Sequence, residues 1–322
     1  MISFIVPAYN EGDGVRAFYD EMMKVIPMLG TAYEIIFIDD GSVDKTLDVL
    51  KALEKKNKHV KVYSFKRNRG KADALAYGFS RVSGDIVITM DADLQDKPSQ
   101  IMKFLAKHKK GAEVVCGWRK ERKDRSRMVF ISKIFNYLIL KLFGLHLHDI
   151  DCGFKLFTAE AAKSLHIYGG LYRFIPLLLY QNGYSVDEVV VDHDKRRFGK
   201  SKYGFSKSWK SLPDLFTMIF LIKYGKRPLH FFGTIGGLLI ALGGIILVSL
   251  FIYQLQGHAI GRRPALIFGM LLVISGLQTF FTGFLADLMI NVSHPLATKE
   301  NGSPQFPLKY ESGINVSTKG RV

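Results

Sequence analysis

"DIVITMDADLQD" occupies residues 85–96. Its first half is a short apolar run that reads as a strand. Its second half, "MDADLQD" at 90–96, crowds three carboxylates and one amide into the turn that follows. Carboxylates this close repel one another unless a cation or a hydrogen-bond network stabilises them. An Asp-rich turn is the ordinary explanation of a lone Asp-x-Asp, so the surrounding chain has to decide.

Around it, strand and helix patterns alternate. Apolar runs at "ISFIV" (2–6), "YEIIFI" (33–38), "VKVYSF" (60–65), "DIVITM" (85–90) and "AEVVCG" (112–117) have the continuity of strands covered on both faces. Helical spacing fills the intervals at 15–26, 44–58, 71–82 and 98–110, with Pro98 suited to a first helical turn. The expectation is an α/β fold: a mainly parallel sheet with helices on both faces. Ligands of such sheets bind beyond the carboxyl ends of the strands. The polar clusters "PAYNEGD", "DDGSVD", "KRNRGK", "DADLQD" and "GWRKERKDRSR" each follow a strand, so they are expected to converge on one edge.

Charge is segregated along the 322 residues. Residues 1–106 carry 15 basic and 15 acidic side chains, 107–227 carry 24 and 11, and 228–322 carry 6 and 3. The basic excess of the middle third points to an anionic partner such as phosphate, nucleic acid or a lipid surface. Two cysteines, Cys116 and Cys152, are too few for a disulfide framework and fit a reducing compartment. The opening "MISFIVPAYNE" lacks the pattern of a signal peptide, so the first domain is expected in the cytoplasm.

Two long apolar stretches lie near the other end. Residues 229–255 contain no Asp, Glu, Lys or Arg, and 264–290 contain only Asp287. A spanning helix needs roughly 20 apolar residues, so the reading is a transmembrane hairpin over 228–291. Lys223, Lys226 and Arg227 ahead of the first span favour a cytoplasmic start, while Arg262 and Arg263 in the connecting loop argue the other way. The helical patterns at 127–144 and 208–225 suit a membrane interface or core packing, the second leading straight into a span. The expected organisation is a catalytic domain over 1–206, an amphipathic juxtamembrane helix over 207–227, the hairpin, and a polar tail over 292–322, extended or disordered.

At the mouth of a parallel sheet, Asp91 and Asp93 suit a divalent cation that completes its shell with phosphate oxygens and water, and Gln95 adds a neutral oxygen. Such an ion would stabilise a departing diphosphate. Together with "VPAYNE" and "DDGS" at their strand ends, the motif order resembles family 2 glycosyltransferases with the GT-A fold, over roughly residues 1–227. The resemblance implies a nucleoside pocket lined by Pro7, Ala8, Tyr9 and Glu11, with Asp39 or Asp40 addressing the base. It implies a metal motif of Asp91 and Asp93, with Asp91 and Ala92 also in the nucleotide-sugar site and Mg²⁺ or Mn²⁺ as cofactor. Asp40 precedes a tight turn at Gly41, which would let its carboxylate point into the cleft; the alternative is a cap on the next helix, for which Ser42 and Asp44 compete. "NRGKADA" (68–74) opens a helix with Gly70 and Lys71, a place for phosphate or simply a solvated lysine.

"GWRKERKDRSRM", "DIDCGFKLF" (149–157) and "HDKRRFGKSKY" (193–203) together resemble the branch that makes polyprenyl-phosphate sugars, including dolichol-phosphate mannose synthase-like enzymes. That resemblance implies that Arg119, Arg127, Asp149, His193, Arg196, Ser201 and Lys202 surround the sugar and the acceptor phosphate, with Arg125 an equal candidate for the place of Arg127. Arg119, Arg127, Asp149 and Arg196 join Asp93 as the expected catalytic group. Arginine suits this because its planar fork contacts phosphate bidentately. Other basic residues are better read as a surface for anionic lipid.

The implied partners are a nucleotide-diphosphate sugar, a polyprenyl phosphate lipid and the membrane, in a homo-oligomer. The implied reaction is an inverting, metal-dependent transfer at the cytoplasmic membrane face. A phosphate monoester has its second pKa near about 6 and is already a nucleophile at neutral pH, so Asp149 is expected to orient substrate or arginine rather than act as a base. A hydroxyl acceptor on another lipid or polysaccharide would instead need general-base help. Processive polysaccharide synthases resemble a Q-x-x-R-W pattern with more spans, and neither is present. A non-enzymatic nucleotide-sugar-binding subunit would be favoured by loss of Asp91 and Asp93, which are intact. A nucleic-acid partner is disfavoured by the two spans and the lack of stacking motifs.

Overall fold

The computed structural model describes residues 1–120, 141–194, 216–217, 220, 223–225, 227–261, 263–297 and 308–311. The chain divides into two compact units, one of Met1–Ser211 with Ser303–Val322, the other of Leu212–Gly302.

The first unit is built on one eight-stranded sheet. Its strands are β1 (Ile2–Ala8), β2 (Tyr33–Asp39), β3 (Val60–Phe65), β4 (Ile86–Thr89), β5 (Val114–Arg119), β6 (Lys155–Thr158), β7 (Val186–Val191) and β8 (Leu308–Glu311), in the order β7-β5-β6-β4-β1-β2-β3-β8. β1 pairs in parallel with both β2 and β4, β2 with β3, and β5 with β7. Among the described strands, β6 and β8 alone run against the rest. The mainly parallel α/β sheet expected from the sequence is therefore present, with β6 slotted between the fourth and fifth strands.

That reversal matters for the site. Because β6 runs opposite to β4, its first residue, Lys155, pairs with Thr89 at the carboxyl end of β4. The segment that leads into β6 thus arrives at the same edge as the loops that follow the parallel strands.

Consecutive strand residues are buried: Phe4, Ile5 and Val6 in β1 and Ile35 to Ile38 in β2 have no exposed surface. Each such side chain contributes about 1.5–3 kcal/mol relative to exposure. Phe4, Val6, Ile35 and Phe37 share a core with Val15, Phe18 and Met22 of α1 (Gly12–Val25), Leu47, Leu50 and Leu53 of α2 (Thr46–Lys56), and Phe104 of α4 (Ile101–His108). Phe18 meets Phe37 edge-on at 6.4 Å. The other face is covered by α3 (Lys71–Ser80), whose Gly78 packs so closely that a Cβ there would lie 2.6 Å from Ile5. Short helices α5 (Ala159–Lys163) and α6 (Ile175–Gln181) also belong to this unit.

β1 has β2 on one side and β4 on the other, so the chain leaves it in both directions. A crevice opens at such a switch point, beyond the carboxyl ends of the strands. The loops after β1, β2 and β4 border it.

The second unit contains α7 (Pro228–Leu255) and α8 (Pro264–Ala297). The most apolar 18-residue stretches of α7 and of residues 264–290 in α8 have mean hydropathy 2.7 and 1.9, and few of their residues are buried. Both are long and apolar enough to cross a membrane. They pack through glycines: a Cβ on Gly236 would lie 2.7 Å from the Gly276 carbonyl oxygen, and one on Gly243 2.7 Å from that of Gly269. Small residues let backbones approach where lipid gives no hydrophobic drive for association.

β8 is drawn from the polar tail and pairs antiparallel with β3, Tyr63 opposite Glu311 and Phe65 opposite Leu308. The sequence pattern leaves this segment as extended tail; its pairing supplies what a four-residue run cannot announce.

Candidate active site

The loops after β1 and β2 are stitched together. Asn10 takes a left-handed backbone, φ 52°, which Asn tolerates. Its amide donates to Ser42 Oγ at 2.9 Å, and its side-chain oxygen accepts from Val43 N at 3.0 Å. Glu11 N donates to Thr46 Oγ1 at 2.9 Å, and Asp40 N donates to Ala8 O at 2.8 Å. Pro7, Ala8, Tyr9 and Glu11 therefore lie beside Asp39 and Asp40 along one rim of the crevice.

The two aspartates are used differently. Asp39 is fully buried; its Oδ1 accepts from Ser42 N at 3.1 Å and its Oδ2 from Ser64 Oγ at 2.6 Å. Asp40, also buried, holds the loop after β3. It accepts from Arg69 N at 2.7 Å, from Gly70 N at 3.0 and 3.2 Å, and from the Asn68 side-chain amide at 2.8 Å. So the Asp40 carboxylate is turned toward residues 68–70, and it is Asp44 whose Oδ1 accepts from Thr46 N, the first amide of α2, at 3.0 Å. Burial pushes the Asp40 carboxyl above its ordinary range, against the pull of the Arg69 and Gly70 amides. Gly41 makes the turn possible: its φ is +68°, and a Cβ would lie 2.4 Å from the Arg67 carbonyl carbon.

Across the crevice, Asp91 is half-buried at the end of β4. Lys71, the first residue of α3, donates to both of its oxygens, at 2.5 and 2.7 Å. Burial alone would raise the Asp91 carboxyl; the Lys71 ammonium, aided by Lys155 and Arg119, outweighs it and holds the group below its ordinary range. Burial would lower the Lys71 ammonium, and Asp91 reverses that too. Gly153 approaches Asp91 so closely that a Cβ would meet Oδ2 at 2.7 Å. Ala92 and Asp93 are buried behind it, and Asp93 Oδ1 accepts from Gln95 N at 3.1 Å. Leu94 between them has φ 57°, a left-handed conformation rarely taken by a branched residue and one that costs on the order of 1–3 kcal/mol. Such strain collects where loop geometry serves a ligand. Asp91 and Asp93 offer hard oxygen donors, the donor type of a hard divalent ion, and in this structure Lys71 takes up those of Asp91.

The fifth-strand cluster is anchored in the same place. Arg119 donates from Nε to Asp149 Oδ2 at 2.6 Å and from Nη2 to Oδ1 at 2.9 Å. Its side chain is 12% exposed and that of Asp149 3%, so this is a desolvated, bidentate pair. Beside it Trp118 stacks on His148, ring centroids 3.9 Å apart, and the His148 amide donates to Glu188 Oε2 at 2.8 Å. Phe154 stacks on Phe104 at 4.0 Å, which fixes the rest of the segment before β6.

His193 is buried against the acidic loop. Its Nδ1 is 3.4 Å from Asp96 Oδ1 and its Nε2 is 3.3 Å from the Gln95 side-chain nitrogen, while Asp194 N donates to Gln95 O at 3.0 Å. The sequence-predicted residues Arg127, Arg196, Ser201 and Lys202 lie outside the described residues, as do Arg125, most of the juxtamembrane segment and the first part of the 127–144 pattern. Burial pushes the Cys116 thiol up to about 12 and Cys152 well above its ordinary value, which leaves both as inert packing groups.

Four residues that the motif reading passed over line or flank the site. Lys155 is buried, 4% exposed, and its ammonium donates to the Cys152 carbonyl. Lys155, Asp151 and Tyr172 border the same small cleft as Lys71 and Gly153. The Lys71 ammonium is 5.8 Å from the Tyr172 ring centroid, and Arg173 lies over that ring at 5.5 Å. Lys155 carried a signal, since it closes the "DCGFK" segment; Tyr172 and Arg173 did not.

Comparison with known proteins agrees with this geometry. The model of the family described as "Glycosyl transferase family 2" matches residues 3–165. Dodecaprenyl-phosphate galacturonate synthase of Rhizobium johnstonii is 32% identical over 95% of this chain and 91% of its own length. Undecaprenyl-phosphate 4-deoxy-4-formamido-L-arabinose transferase of Salmonella paratyphi B is 32% identical over 89% of this chain and 87% of its own. Among solved structures, glucosyl-3-phosphoglycerate synthase of Mycobacterium tuberculosis in complex with phosphoglyceric acid has TM-score 0.55 at 19% identity, over 69% of this chain and 79% of that one. A second structure of that enzyme, with Mn²⁺, uridine diphosphate and glucosyl-3-phosphoglycerate, has TM-score 0.51 at 20% identity, over 70% and 79%. The structural likeness shows a shared fold. With the sequence likeness running nearly end to end, and the acidic loop, the "DDGS" turn and the "DCGFK" segment gathered at one sheet edge, the chain belongs to glycosyl transferase family 2.

Proposed function

We propose that the protein transfers a sugar, with inversion, from a nucleotide-diphosphate sugar to a polyprenyl phosphate at the cytoplasmic face of a membrane. One observation carries this reading: Lys71 of α3, which holds the Asp91 carboxylate, and the buried Lys155 of β6 bring two ammonium groups to one small cleft. A site so built suits a donor and an acceptor that both carry phosphate. The relatives that share most of the chain's length are named for transfer to dodecaprenyl and undecaprenyl phosphate, and two helices long enough to cross a membrane suit an acceptor that stays in the bilayer.

In this reading the nucleoside lies along Pro7, Ala8, Tyr9 and Glu11, with Asp39 and Asp40 shaping the base pocket. A Mg²⁺ or Mn²⁺ ion held by Asp91 and Asp93, with Gln95 as neutral oxygen, would stabilise the departing diphosphate. An acceptor phosphate oxygen forms the new bond to the anomeric carbon as the bond to the diphosphate breaks and its electron pair leaves with the nucleotide. Arg119, held by Asp149, presents its guanidinium to phosphate; Arg127, Arg196, His193, Ser201 and Lys202 complete the acceptor side. No base has to deprotonate a phosphate monoester at neutral pH, and Asp149 is committed to Arg119. The homo-oligomer implied by resemblance belongs to the same proposal.

The test is transfer of radiolabelled sugar from a panel of nucleotide sugars to undecaprenyl phosphate by the detergent-purified chain, with Mg²⁺, Mn²⁺ or chelator. Metal-dependent label in the lipid phase, lost in Asp93→Asn, is expected. Sugar delivered only to a hydroxyl acceptor would overturn the acceptor assignment and leave the family intact.

A further inference from the structure

Lys71 and Asp91 are twenty positions apart in sequence and make a close charge pair at the crevice. The ammonium takes both carboxylate oxygens, at 2.5 and 2.7 Å. A divalent ion reaches a carboxylate oxygen at about 2.0–2.2 Å. It cannot do so on Asp91 while Lys71 bridges the same group without two cations crowding one anion, an arrangement that like-charge repulsion opposes.

The backbone of Lys71 is tied elsewhere. It follows Gly70, whose φ is +97° and whose amide donates to Asp40, as does that of Arg69. Asp40 adjoins the loop proposed for the base. Lys71 therefore joins two places with one residue: its main chain continues the nucleotide loop and its side chain covers the metal carboxylate. Its first helical position also puts it where a helix end attracts phosphate.

We infer that Lys71 is a resident counter-cation that keeps Asp91 closed to free divalent metal, and that an arriving nucleotide diphosphate draws the ammonium onto its phosphates and opens Asp91 to the metal. This rests on the metal–nucleotide reading proposed above and adds to it an order of events: nucleotide and metal bind together, and neither alone binds well. By linkage, the factor by which nucleotide strengthens metal binding equals the factor by which metal strengthens nucleotide binding.

The experiment measures binding of Mn²⁺, by loss of the free-ion electron paramagnetic resonance signal, to the full chain in detergent with and without UDP or GDP. Wild type is expected to bind Mn²⁺ weakly alone and strongly with the matching nucleotide. Lys71→Met should bind Mn²⁺ alone about tenfold more tightly, the scale of a neighbouring charge acting on a carboxylate, and should gain less from nucleotide. Lys71→Arg, which keeps the charge, should behave as wild type; Asp91→Asn should bind weakly throughout. Lys71→Gln serves if the Met variant does not fold. If the neutral variants bind Mn²⁺ alone no more tightly than wild type, while wild type binds it with nucleotide, the counter-cation role is overturned and the metal reading stands. If no variant binds Mn²⁺ with either nucleotide, the metal reading fails and this inference with it.

Discussion

Asp149→Asn separates an orienting carboxylate from a chemical one. In the structure Asp149 is 3% exposed and gives both oxygens to the Arg119 guanidinium. Removing one partner of a buried pair costs about 3–5 kcal/mol, because the other charge is stranded. Asparagine keeps the shape and one carbonyl acceptor, so about half of that, roughly 2 kcal/mol, is expected. For a unit of this size each kcal/mol moves the midpoint by about 2–4 °C, so thermal unfolding should fall by about 4–8 °C. With Trp209 replaced by Phe, Trp118 is the one remaining tryptophan and makes the assay local, being adjacent to Arg119 and stacked on His148, the neighbour of Asp149. Its emission should shift in the folded variant. Turnover should drop while the pH profile of kcat keeps its shape, since in the proposed reaction Asp149 takes no proton. Unfolding within about 1 °C of wild type and unchanged Trp118 emission, with turnover abolished, would refute the reasoning and make Asp149 a chemical participant.

Gly41→Ala should cost at least ~1–3 kcal/mol, read by thermal unfolding, and should raise KM for the nucleotide sugar, because an added methyl collides with Arg67 in the loop that Asp40 holds. Ser64→Ala strands Asp39 Oδ2 and should lower stability by about 1–3 kcal/mol in a denaturant titration, with smaller effects on turnover. The Asp40 carboxyl is raised above its ordinary 3.8 by burial, so its stabilising contribution is present at acid pH and lost as pH rises from 3.8 through the folded value. Melting curves between pH 3.5 and about 7 should therefore show Asp40→Asn gaining on wild type as pH increases. Lys155→Met, which removes a buried ammonium from the Cys152 carbonyl, should weaken donor binding measured by calorimetry more than it changes the melting midpoint.

The parallel half of the sheet was legible because buried strands are written as continuous apolar runs: each of the five expected strands is present, and the polar clusters of the first four follow them. β6 was not legible. "KLFT" is four residues long, follows a motif at once, and is made a strand by pairing with β4 and β5. β8 depends in the same way on the exposed edge of β3. Within the site, the residue types were readable and their pairings were not. Asp40 was expected to face the cleft, and it turned toward residues 68–70 because those amides need an acceptor. Lys71 offered no choice between phosphate and solvent until the fold brought Asp91 to it. Tyr172 and Arg173 lie in a short turn without periodic pattern, so only tertiary structure places them at the cleft.

The strand pairing of β8 with β3 constrains the membrane passage by parity. The chain departs from the sheet before α7 and rejoins it after α8. A polypeptide that returns to the sheet it left must traverse a bilayer an even number of times. A hairpin of α7 and α8 that crosses twice would leave its connecting loop on the far side of the membrane from the sheet, against the pull that Arg262 and Arg263 exert in a simple charge rule. A reporter fused behind residue 322 should share its compartment with one fused ahead of residue 1, whatever the charge of the loop between the spans.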